Sequence, residues 1–382
     1  MKCSLAILGS TGSVGTQALD VIRNNSEFFQ ASILVAGSNW RLIVDQAKEF
    51  RPKKVVLDNP QSAEIARKEL EGVCEVVSGR AEIIRSVSEV DAVLGAMVGF
   101  TGVEPVLAAL ELGKPVALAN KETLVAAGGL VKKAIARGKG RVIPVDSEHT
   151  SLYACLKNRN TEVNKVYITA SGGPFFLNKN INLDNVTPEQ ALKHPKWKMG
   201  AKISIDSATM MNKGLEVIEA SVLFNFKASE IGVVVHPEHL IHAIVEYKDA
   251  NSLAVIYEPD MRVCIATALM ELVNSSCLKT GASFLDFTTE RNFSFYPPDF
   301  DRFPALRLCY EALEMGEGAT AVLNAANEIA VSKFLNKMLR FSDIPKLVEK
   351  TLFCFDGQVP KNIEELMQLD SWARDQASNY KP

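Results

Sequence analysis

Cysteine never occurs as a C-x-x-C pair in this chain of 382 residues; Cys3, Cys74, Cys155, Cys264, Cys277, Cys309 and Cys354 stand singly and are odd in number. That pattern excludes a thiolate zinc site and a disulfide framework, and predicts reduced thiols in a cytoplasmic protein. Charge of one sign is also lacking: 42 basic residues against 45 acidic ones give −3, without the basic footprint of a nucleic-acid binder. Long apolar runs are missing too. The most apolar stretch, 91–112, is broken by Glu104, Pro105 and four glycines or threonines, so no membrane span is expected. The apolar run at the N-terminus ends in a glycine-rich turn instead of a cleavage site, so no export signal is expected either. There is no G-x-S-x-G elbow, repeat or low-complexity segment. His236, His239 and His242 are spaced by three, but Pro237 and the strand-like residues that follow keep them from sharing a face, which sets a zinc reading aside.

What is present is the composition of a globular protein, 47% apolar and 23% charged, long enough for two or three domains. Residues 4–9, 31–37, 53–57, 74–77, 92–98, 115–119 and 141–145 read as buried strands, with helical segments between most of them. This alternation predicts a parallel sheet covered by helices on both faces. From 146 the pattern changes. Residues 166–176 read as a strand entering a glycine turn, Thr187-Pro-Glu-Gln as a capping box, and 240–247 with 252–258 as an antiparallel hairpin. The last segment is helical, with starts near Pro304, Ala319, Ser342 and Asn362.

Three segments carry chemistry. Gly9-Ser-Thr-Gly12-Ser-Val-Gly15 joins the first strand to the first helix, where glycines admit a pyrophosphate to the helix N-terminus. A plain tight turn is the alternative, and the strand–loop–helix context favours the nucleotide. No carboxylate follows the second strand; Gly37-Ser38-Asn39-Trp40-Arg41 stands there instead, which suits NADP better than NAD. Asp146-Ser147-Glu148, read as extended chain, turns two carboxylates to one side for a hard cation. In 194–219, His194 to Gly200 has the profile of a mobile loop, and Asn212, Lys213 and Glu216 share one face of a helix start. The bland readings are a solvated turn, an ordinary i, i+3 ion pair and, for Trp197, a buried anchor.

Together the blocks GSTGSVG, LANKE (118–122), PVDSEH (144–149), SGGPF (171–175), 194–220 and NAANEIA (324–330) closely resemble the 1-deoxy-D-xylulose 5-phosphate reductoisomerase family, in order along nearly the whole chain. The resemblance implies an α/β fold: an N-terminal Rossmann-like NADP-binding domain (1–145), a central α+β catalytic and dimerisation domain (146–290) with a mobile loop at 194–200, and a C-terminal helical bundle (291–382). It implies a cytoplasmic homodimer that converts deoxyxylulose phosphate to methylerythritol phosphate with NADPH and a divalent cation (Mg²⁺ or Mn²⁺, with Co²⁺ a further candidate). By position, Thr11, Gly12, Ser13, Val14, Gly37, Ser38, Asn39, Asn120, Glu122 and Gly200 match cofactor contacts. Asp146, Glu148 and Glu216 match metal carboxylates. Lys121, Ser147, Glu148, Ser171, His194, Ser207, Asn212, Lys213 and Glu216 match substrate contacts, among which Lys121, Glu148 and His194, with the lid residue Trp197, are implied in catalysis. A basic residue is common in the family where Ser38 stands, which moves the expected 2′-phosphate contact toward Asn39 and Arg41. The competing expectations are a metal-independent NADP-linked dehydrogenase and a non-catalytic NADP-sensing module.

Overall fold

The computed structural model describes residues 1–157, 159, 161–193, 200–273 and 275–381. They form two compact units: 1–123, 130–150 and 260–283 in the first; 124–129, 151–259 and 284–382 in the second. The first begins as alternating strands and helices: β1 (Cys3–Leu8), α1 (Ser13–Asn24), β2 (Phe29–Ala36), α2 (Trp40–Phe50), β3 (Lys54–Leu57), α3 (Pro60–Glu69), β4 (Glu75–Ser78), α4 (Arg80–Ser86), β5 (Ala92–Gly95), α5 (Val103–Glu111), β6 (Pro115–Leu118), α6 (Lys121–Gly138) and β7 (Arg141–Pro144). The seven strands pair in parallel in the order β4-β3-β2-β1-β5-β6-β7. Strand order reverses between β1 and β5, and the loops leaving those strands flank the crevice where open α/β sheets bind ligands. The expected strands fall into place. The apolar run 92–98 is shorter as a strand, because the chain leaves the sheet after Gly95 and Val98 is exposed.

α7 (Ser147–Lys157) spans the boundary between the two assignments at Thr150 and Ser151. The second unit continues with β8 (Val163–Ala170), α8 (Pro188–Ala191), α9 (Ala201–Ala208), α10 (Met211–Phe224), β9 (Ile231–Val235), β10 (Ile241–Tyr247) and β11 (Ser252–Ile256). Its sheet runs β11-β10-β8-β9, with β8 and β9 parallel and the other neighbours antiparallel. The hairpin and the Thr187 capping box form as read. β9 carries no signal that separated it from its surroundings in the sequence.

The chain then returns to the first unit with α11 (Met261–Val273), a helix without a sequence signature of its own. Ile265, Ala266, Ala268 and Leu269 are buried in the same cluster as Leu5, Ile7, Leu19, Leu94 and Ile143. Burial at ~25 cal/mol per Å² of apolar surface is what places this segment against the seven-stranded sheet and not with its sequence neighbours. The contact-defined units therefore interleave along the chain, where the sequence suggested three consecutive stretches. The C-terminal helices α12 (Pro304–Met315), α13 (Glu317–Leu335), α14 (Ile344–Phe353) and α15 (Ile363–Ser378) start near the four expected residues. Among the described residues no helix is long and apolar enough to cross a membrane.

Candidate active site

In the first unit, β1 ends at Leu8 and the chain turns through Gly9, whose φ of +91° lies in the left-handed region. A Cβ there would stand 2.5 Å from the Ala96 carbonyl oxygen after β5, and one at Gly15 would stand 2.2 Å from the Gly9 oxygen. Both contacts are forbidden, so glycine is what lets α1 begin this close to the strand ends. Gly12 is the N-cap of α1 and supplies no side-chain cap, so the positive end of the helix is left to an anion. Thr11 and Val14 are half-buried, and Gly12 and Ser13 are exposed. The Ser10 carbonyl accepts from Gln46 Nε2 at 2.9 Å, which ties the loop to α2.

At the end of β2, Gly37, Ser38 and Asn39 are exposed. Asn39 caps α2 by accepting from the Leu42 amide at 3.3 Å. The Arg41 guanidinium stacks 5.1 Å from the centre of the Trp40 ring. This loop thus offers hydroxyl, amide and guanidinium donors without a carboxylate, as a 2′-phosphate needs. Asn120 is 3% exposed; its amide donates to the Gly99 carbonyl at 3.2 Å and to Glu122 at 2.8 Å. Asn120 thereby ties the start of α6 to the loop after β5.

Lys121, the first residue of α6, and Asp146, just beyond β7, meet at 2.5 Å. The Ser147 amide donates to Asp146 at 3.1 Å, and the Ser147 hydroxyl donates to Glu148 at 2.6 Å. Asp146-Ser147-Glu148 is not extended chain as the sequence reading had it. α7 begins at Ser147, and the Thr150 amide donates to the Asp146 carbonyl at 2.8 Å. The helix dipole favours carboxylates at this end, and the two carboxylates still approach to within 4.8 Å. Two oxygen donors at this separation fit a hard divalent cation.

In the second unit, β8 ends at Ala170 and the chain turns through Gly172 and Gly173, both with positive φ. Ser171 Oγ accepts from the Gly173 amide at 2.9 Å and lies 3.4 Å from Ser207 Oγ near the end of α9. Gly200 is the N-cap of α9. Met210, left-handed with φ of +64°, starts α10. On its first turn Asn212 Nδ2 donates to Glu216 Oε1 at 2.6 Å, and Lys213 pairs with Glu216. Lys213 and Glu216 are 4% and 1% exposed. The i, i+3 and i, i+4 spacing therefore brings the three together as the sequence implied. His194 and Trp197 lie outside the described residues.

The three histidines do not form a metal site with one another. His236 has Nδ1 3.0 Å from the Ser294 carbonyl and accepts at Nε2 from the Leu240 amide at 3.2 Å, so both ring nitrogens are engaged. Sequence reading missed Asp206 and Asn327, which meet at 2.8 Å between α9 and α13. The available signal was an i, i+3 pair of asparagines, Asn324 and Asn327, in the Ala-rich middle of a helix.

Comparison with known proteins agrees with this layout. The sequence profile of 1-deoxy-D-xylulose 5-phosphate reductoisomerase matches residues 5–128, and two profiles for C-terminal domains of the same enzyme match 142–224 and 256–376. The reductoisomerase of Chlorobaculum tepidum is 46% identical over 382 residues, covering 98% of each chain. That of Chlorobium chlorochromatii is 47% identical, covering 99% of this chain and all of its own, 100%. A solved structure of the Zymomonas mobilis enzyme in complex with NADPH has a TM-score of 0.91 at 41% identity, covering 99% of this chain and 98% of that one. A solved DOX-P reductoisomerase in complex with NADPH, fosmidomycin and magnesium also has a TM-score of 0.91, at 36% identity and the same coverage. At this identity over nearly its full length, the chain belongs to the 1-deoxy-D-xylulose 5-phosphate reductoisomerase family.

Proposed function

We propose that the residues described above divide the work of one reaction. The chain catalyses the NADPH-dependent rearrangement and reduction of 1-deoxy-D-xylulose 5-phosphate to 2-C-methyl-D-erythritol 4-phosphate, with a divalent cation. Asp146, Glu148 and Glu216 would hold the cation. Thr11 to Val14, Gly37 to Asn39, Asn120, Glu122 and Gly200 would hold NADPH. When bound, the cation polarises the ketone and a neighbouring hydroxyl oxygen, and NADPH supplies hydride.

The chain's own residues orient the substrate. Ser171, Ser207 and Asn212 offer neutral donors and Lys213 a charge, which suit the phosphate; binding that remote group orients the reacting end. Lys121, Ser147 and His194 contact the carbon chain, and Trp197 with the 194–200 segment excludes water. One observation carries the reading. A single turn of α10 buries an ammonium and a carboxylate in a mostly apolar helix, a desolvation cost that a role toward a phosphate and a cation accounts for.

The chain works as a cytoplasmic homodimer. Support comes from β11, an edge strand with Leu253 and Ile256 exposed, which a second copy would cover. An absorbance assay of NADPH oxidation with deoxyxylulose phosphate tests the activity. Oxidation is expected with Mg²⁺ and is expected to stop on exhaustive chelation. Undiminished oxidation after chelation would remove the cation from the reading.

A further inference from the structure

Behind Ser207 lies a buried polar contact that the reaction as described does not use. Asp206, next to Ser207 on α9, is 1% exposed. Its Oδ1 accepts from Asn327 Nδ2 of α13 at 2.8 Å, and its Oδ2 pairs with Lys202 Nζ, one turn earlier, also at 2.8 Å. Asn327 is fully buried, and its own Oδ1 has no hydrogen-bond partner among the described residues. A buried acceptor left in that state is destabilising, so Asn327 is a poor choice if its purpose is stability. What its donor achieves is to hold one oxygen of Asp206 against α13. Neighbouring residues on a helix project about 100° apart. Fixing Asp206 therefore fixes the rotation of α9 and the direction of the Ser207 hydroxyl toward Ser171.

We propose that Asp206 and Asn327 are positioning residues of the phosphate subsite, locking α9 to α13 so that Ser207 is aimed before the phosphate arrives. The proposal rests on the assignment of Ser207 to the substrate phosphate. Lys202 balances the Asp206 charge, which would otherwise repel a phosphate bound beside the next residue.

Steady-state kinetics of Asn327→Ala, Asp206→Ala, Asp206→Asn and Ser207→Ala in the full chain, with NADPH affinity measured alongside, tests this. Asn327→Ala and Asp206→Ala are each expected to raise KM for the sugar phosphate about tenfold while NADPH affinity stays within about twofold. Asp206→Asn keeps an acceptor for Asn327 and is expected to return KM to within about threefold of the native value. The double Ala variant is expected to be no worse than either single one. A native KM in Asn327→Ala, while Ser207→Ala raises it, overturns the proposal. Equal losses toward NADPH and sugar phosphate also overturn it, since that is general destabilisation. A native KM in Ser207→Ala instead sinks the phosphate assignment itself. Should Asn327→Ala fail to fold, Asn327→Leu, which fills the space but offers no donor, takes its place. Weakened sugar-phosphate binding with intact NADPH binding in Asn327→Leu supports positioning, and native values for both ligands overturn it.

Discussion

The Lys121 ammonium lies 2.5 Å from the Asp146 carboxylate, joining the start of α6 to the end of β7. Lys121 is 5% exposed, so the pair holds its geometry with little competition from water. It lies beyond the carboxyl ends of β6 and β7, the side of a parallel sheet where ligands bind. It also sets a constraint: a cation held by Asp146 would share that carboxylate with a lysine.

Asp146→Asn keeps the shape of the side chain and removes its charge. Turnover is expected to fall by at least about a hundredfold, while NADPH affinity stays within about twofold. Glu216→Gln is expected to do the same. Kinetics at ordinary Mg²⁺ with parallel NADPH titration check both, and near-native turnover in either variant would refute its role as a ligand.

Arg41 is exposed and stacked on Trp40, with its guanidinium at the end of the strand that follows the glycine loop. If it meets the 2′-phosphate, Arg41→Ala should weaken NADPH binding about tenfold and leave NADH binding unchanged. Equal losses for both cofactors would point to a packing role beside Trp40.

Asp91 gives a pH-dependent contribution to stability. The Ser4 amide and the Ser4 hydroxyl each donate to Asp91 Oδ2 at 2.8 Å, holding the carboxyl below its usual range. A lowered folded pKa means the contribution is present above the unfolded value, near pH ~4, and is lost as pH falls through the folded one. Asp91→Asn is expected to cost about 0.5–1 kcal/mol at neutral pH, allowing for solvent screening. The difference should vanish in urea melts at strongly acidic pH; a constant difference would mean the charge is irrelevant.

Much of the fold was legible because its signals are local. Each strand of the first sheet is a short apolar run, Asn362 caps a helix as its side chain requires, and Asn212, Lys213 and Glu216 meet through the pitch of one helix. The glycine loop was legible for the same reason at Gly15, which packs on Gly9 and Ser10, although Gly9 itself abuts Ala96 far along the chain. α11 was not, because an apolar helix carries no mark of which sheet it will cover. Asp146-Ser147-Glu148 was misread as extended because it follows directly on the apolar run of β7, whereas α7 already begins at Ser147.

By itself, then, the sequence determined the parallel sheet and the glycine loop, and its resemblance to a family named the candidate carboxylates and phosphate donors. The tertiary structure alone decided that residues 260–283 complete the first unit, that Lys121 pairs with Asp146 and that Asn327 holds Asp206. The first set depends on propensities and periodicities spanning a few residues. The second depends on burial and hydrogen bonding between residues as much as 254 positions apart, where no local spacing records which groups will meet.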